Sequence, residues 1–108
     1  MPAFRLLAAC WILIGVTVAH AVEVGDPDQG LAFAQRVCAM CHAVLPTESE
    51  SPVPGLATFK TIANTPGMTE TALGVWLQTS HPTMPNFVLD PQDRDNVIAY
   101  ITSLRDSN

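Results

Sequence analysis

The chain has 108 residues, with ten acidic and five basic side chains and a formal charge of −5 at pH 7. That length allows one domain, and that charge argues against nucleic acid and anionic membrane surfaces as partners. Only three cysteines occur, so no disulfide framework is expected.

The first stretch reads as an export signal. Met1 to Arg5 carries one positive charge, Leu6 to Val18 is an apolar run too short for a membrane span, and Ala19-His20-Ala21 offers an A-x-A cleavage site. The expected organisation is a signal peptide over 1–21 and one domain over 22–108, exported to the periplasm. An uncleaved anchor is the rival reading. Leu7-Ala8-Ala9-Cys10 looks like a lipoprotein box, but most of the apolar run (Trp11 to Val18) follows it rather than precedes it. Cys10 and Arg5 would leave with the signal. The remaining domain is then one unit more negative than the −5 of the whole chain and keeps only Cys38 and Cys41. It has one lysine, Lys60, so no lysine ring can guide docking. A partner that docks by charge must present a basic patch, or docking is mainly apolar. Lys60 and Arg94 are the candidates for a basic rim.

The first helix is predicted from Asp26-Pro27, with Asp as N-cap and Pro at the first helical position. Gln29 at N3 is placed to bond back in a capping box. Leu31, Phe33, Ala34 and Val37 carry this helix into Cys38. Gly30 costs roughly 1 kcal/mol inside a helix against Ala, which is easiest to understand where another backbone crosses closely.

Cys38-Ala39-Met40-Cys41-His42 is a C-x-x-C-H motif, the attachment signature of a c-type haem. Two thiols on one turn can each add to one vinyl group of a porphyrin. The following His then offers its imidazole to the iron. C-x-x-C alone also suits zinc or a thiol–disulfide centre. Zinc wants more ligands than the chain supplies beyond the motif, and a redox pair belongs near a βαβ pattern that is absent here. Export agrees with the haem reading, because covalent haem attachment in bacteria occurs outside the cytoplasm.

Ala43 to Leu56 is a Pro-rich loop without periodicity, expected to wrap. Thr58 caps a short helix through Asn64, and Asn64-Thr65-Pro66-Gly67 stops it. Thr69 caps the helix Glu70 to Thr79, whose apolar stripe is Leu73, Trp76 and Leu77. The loop over 80–86 holds Met84 between Pro82 and Pro85, which stiffen its backbone. A Met is a common sixth haem ligand, so Met84 is the candidate and His81 its competitor. Asp90-Pro91 repeats the cap, and the last helix runs to about Leu104 with Val97, Ile98, Ile101 and Leu104 inward and Tyr100 at the flank. No alternation of period two occurs, so the fold class is all-α.

With these elements placed, the chain over 22–108 resembles the small bacterial class I cytochromes c. The resemblance implies a bundle of about four helices around one covalently attached haem c. Cys38 and Cys41 would hold the ring, and His42 and Met84 the iron. It implies that Gly30 and Phe33 cross Tyr100 where the first and last helices meet. The family's loop proline, whose carbonyl accepts the proximal imidazole's N–H, falls on Pro54 in Pro54-Gly55-Leu56. Ala57-Thr58-Phe59 aligns nearly as well and lacks the proline. Trp76 resembles the family's buried Trp, which either donates to a haem propionate or simply packs on the ring.

Iron ligated by both His42 and Met84 has no open position, so an electron carrier, monomeric and working between redox partner proteins, is expected rather than an enzyme. Two other readings stay open. One is a haem subunit of a multi-chain dehydrogenase or oxidase complex. The other is a ligand-binding haem sensor, should Met84 not stay bound.

Overall fold

The computed structural model describes residues 24–85 and 87–107, with Gly15. The expected signal peptide over 1–21 lies outside these described residues. Among the described residues four α-helices follow in order: α1 Pro27–Val37, α2 Phe59–Ala63, α3 Glu70–Gln78 and α4 Pro91–Ser103. A 3-10 turn, Cys38–Met40, continues α1. Among the described residues there is no strand, only an isolated bridge between His81 and Met84.

Each α-helix begins where its cap predicts. Asp26 accepts from the N–H groups of Asp28 and Gln29, Thr58 from Thr61, Thr69 from Ala72, and Asp90 from Asp93. These side chains satisfy amides that the first turn leaves without partners. The capping box at Gln29 is not formed. The Asp26 N–H instead donates to Asn96 Oδ1 of α4 at 2.8 Å, so a contact between helices has taken the place of a local one.

α4 is the common support, with α1, α2 and α3 all packed on it. At the crossing with α1, a Cβ on Gly30 would lie 2.0 Å from the Asn96 carbonyl oxygen and 2.8 Å from Tyr100 Cβ. Only a hydrogen fits there, which is why the helix carries a glycine despite its propensity. Asn96 is buried at this crossing, and its Oδ1 also accepts from Gln92 Nε2 at 3.0 Å.

The core consists of Ala34, Val44, Phe59, Ala63, Leu73, Val97, Tyr100 and Ile101, with Phe33 packed against it. Tyr100 lies in this core rather than at its flank, and its hydroxyl donates to the Val44 carbonyl. The expected stripe on α3 narrows to Leu73 and Leu77. Trp76 is 48% exposed and stands off the core. Leu73 and Leu77, one turn apart, take the face toward α4 and leave Trp76 to the side.

Candidate functional site

The end of α1 tightens as it enters the motif. The N–H groups of Cys41 and His42 both donate to the Cys38 carbonyl, at 3.1 and 2.9 Å. One tight turn therefore presents Cys38, Cys41 and His42 together. Both thiols are unpaired and half-buried. Burial, with Cys41 beside it as the smaller cause, pushes the Cys38 thiol up to about 11. Among the described residues no group of three or more His, Cys, Asp or Glu side chains is arranged to hold a metal ion by itself.

His42 is fixed by its surroundings. Its Nδ1 lies 2.7 Å from the Ala57 carbonyl. A carbonyl can only accept, so Nδ1 is the donor here, and in the neutral ring Nε2 keeps its lone pair. This is the tautomer that a metal-ligating imidazole needs, and the bond sets the ring's orientation and basicity. The Phe59 ring lies 5.7 Å from the His42 ring, centroid to centroid, and 6.3 Å from that of Tyr100. A line of contacts thus ties the imidazole to α4.

The accepting carbonyl corrects the expectation for Pro54. Pro54 is exposed, and its carbonyl is not the partner of His42. The Phe59 N–H donates to the Ala43 carbonyl at 2.9 Å, and the Phe59 side chain is buried in the core. This draws residues 57–59 against the chain just after His42. Gly55, with φ +83°, and the Leu56 N–H donating to the Val53 carbonyl shape a turn around Pro54 upstream of that contact. The signal for Ala57 was in the sequence: Phe59 is a larger apolar anchor than Leu56, and Thr58 starts a helix that fixes its neighbour.

Met84 is half-buried and closes a turn, its N–H donating to the His81 carbonyl at 3.3 Å. Thr83 within this turn has φ +69°. His81 is edge-on to Trp76, with ring centroids 5.0 Å apart. Trp76 thus meets the Met84 turn through His81, a contact the sequence reading did not foresee. The two expected iron ligands sit in separate clusters, His42 with Ala57 and Phe59, and Met84 with His81 and Trp76.

Two free thiols and an imidazole with an open Nε2 on one turn fit the covalent attachment of a haem, and an all-α domain built around such a turn is a c-type haem protein. The Cytochrome c family model matches residues 28–105, and the chain belongs to that family. It is 29% identical over 101 residues to a cytochrome c-552 of Bradyrhizobium diazoefficiens, covering 94% of this chain and 96% of that protein. No solved structure matches the chain. The family's cofactor is covalently bound haem c with its iron, and its members carry electrons between redox partner proteins. Among the described residues no helix is long and apolar enough to cross a membrane.

Proposed function

We propose that this chain is a periplasmic single-haem electron carrier, with the ring bound through Cys38 and Cys41 and the iron held between His42 and Met84. The observation that carries this reading is the 2.7 Å contact between His42 Nδ1 and the Ala57 carbonyl, which leaves Nε2 as the one ring nitrogen with a free lone pair. The haem supplies a one-electron ferrous–ferric couple, and a Met ligand favours the ferrous form. With His42 and Met84 both holding the iron, no coordination position would remain for a substrate. The signal-like residues 1–21 support export.

Each of the four bases over 22–108, Lys60 and Arg94 of the expected rim among them, has a neighbouring group. Lys60 lies 3.5 Å from Asp106, and Arg94 lies 3.5 Å from Asp95. Arg36 lies 5.9 Å from the centre of the Phe33 ring, and Arg105 donates to the Met68 carbonyl. Exposed ion pairs of this kind add little stability, but they cancel positive charge at the surface. A redox partner must therefore supply the basic groups itself or dock on apolar surface.

An absorption spectrum of the mature protein, expressed with a haem-maturation system, tests the assignment. A covalent c-type spectrum with the ferric Met–iron charge-transfer band is expected. A covalent haem without that band would remove Met84 as ligand, and the absence of covalent haem would overturn the reading of Cys38 and Cys41.

A further inference from the structure

The turn that carries Met84 is tied to α3 through His81. The His81 carbonyl accepts the Met84 N–H, and the two residues pair across an antiparallel bridge. The His81 ring is held in two ways. Its Nδ1 lies 3.0 Å from the Thr79 carbonyl, to which it must donate. Its edge meets Trp76 at an interplanar angle of 82°, a favoured geometry for two rings. Trp76 belongs to α3, which is packed on α4. A chain of contacts therefore runs from the helical core to the backbone of Met84, and it passes through one pair of rings.

The turn itself is strained. A hydrogen-bonded turn with Pro82 second and a positive φ third has the form of a type II turn, whose third position favours Gly or Asn. Thr83 occupies that position at φ +69°. A β-branched side chain there is costly, and such a residue persists only where its surroundings hold it. The aromatic pair beside the turn is the contact that can do so.

We infer that Trp76 and His81 form a positioning clasp that holds the strained 81–84 turn, and so sets how firmly Met84 keeps its place against an outside ligand. This rests on the reading of Met84 as the sixth ligand and adds to it what governs Met84 release. Neither residue needs to touch iron for this role; both act through the backbone of the turn.

Titration of imidazole into the ferric holo-protein, followed by loss of the Met–iron charge-transfer band, tests the clasp. His81→Ala and Trp76→Leu should each bind imidazole about tenfold more tightly than the wild type, from the loss of one aromatic contact. The double variant should be no worse than either single one, because the pair is lost only once. His81→Phe keeps the ring edge and should recover most of the wild-type behaviour. Thr83→Asn relaxes the turn and should bind imidazole several-fold more weakly, since Asn tolerates positive φ. His81→Phe and Thr83→Asn keep the test decisive if His81→Ala fails to fold. Wild-type affinity in His81→Ala and Trp76→Leu, or effects that simply add in the double variant, would overturn the clasp alone. A wild type without the band would overturn the Met84 reading and the clasp with it.

Discussion

The two ends of the expected haem axis are supported very differently. His42 follows directly on α1, is bonded to the Ala57 carbonyl, and touches Phe59, which in turn touches the buried Tyr100. Met84 sits on a four-residue turn with a strained Thr83, joined to α3 through His81, which meets Trp76 edge-on and bonds the Thr79 carbonyl. A ligand built into the core is held by everything that holds the fold. A ligand on a turn is held by a few contacts, which can be tuned without disturbing the rest. The first arrangement suits a permanent attachment and the second an adjustable one.

The largest expected contrast is between removing the two ligands. Met84→Ala should keep covalent haem and near wild-type helicity while gaining carbon monoxide binding in the ferrous state. His42→Ala should yield little folded protein that carries haem. Circular dichroism and the yield of haem-bearing protein measure both, and equal losses from the two variants would break the contrast. In the Met84→Ala protein, His81 is the nearest replacement, and a bis-His spectrum there would reveal it.

Phe59→Ala should cost about 3–5 kcal/mol in a denaturant melt, as for other buried aromatics. It should also loosen the His42 ring, because Phe59 lies between that ring and Tyr100. Gly30→Ala should cost about 2–3 kcal/mol, because the new Cβ meets the Asn96 backbone, which cannot swing aside. A neutral or stabilising Gly30→Ala would mean that the α1–α4 crossing is looser than its geometry.

The smallest effect sharpens the same side. Tyr100→Phe removes the hydroxyl that donates to the Val44 carbonyl and should cost about 1 kcal/mol at neutral pH. Burial, with Glu48 as a lesser cause, raises the Tyr100 hydroxyl above its ordinary value of 10.0. The folded state therefore favours the neutral phenol. That contribution is complete below pH 10.0 and is lost as pH rises through the higher folded value. Chemical melts between neutral and strongly alkaline pH should show a shallower decline for Tyr100→Phe than for the wild type.

Much of this was legible in the residues. Asp26, Thr58, Thr69 and Asp90 marked the helix starts because capping is a local interaction between a side chain and the next turn. The Cys38 motif was legible because its chemistry depends on spacing within a single turn, and the glycine at position 30 pointed to a close crossing because nothing local accounts for it. The misplacements all involved partners distant along the chain. Pro54 gave way to Ala57 because the burial of Phe59 decides which carbonyl reaches His42. The expected capping bond of Gln29 gave way to Asn96, 70 residues from Asp26. On α3, Leu73 and Leu77 take the face toward α4 and Trp76 stands beside it.

By itself, then, the sequence determined the helices, the turn over Cys38–His42 and the class of cofactor, since each rests on interactions within a few residues. Only the tertiary structure decided which carbonyl orients His42, where Trp76 stands, and that Met84 hangs on a strained turn. Those outcomes depend on which distant groups packing brings into contact, and no local pattern encodes that choice.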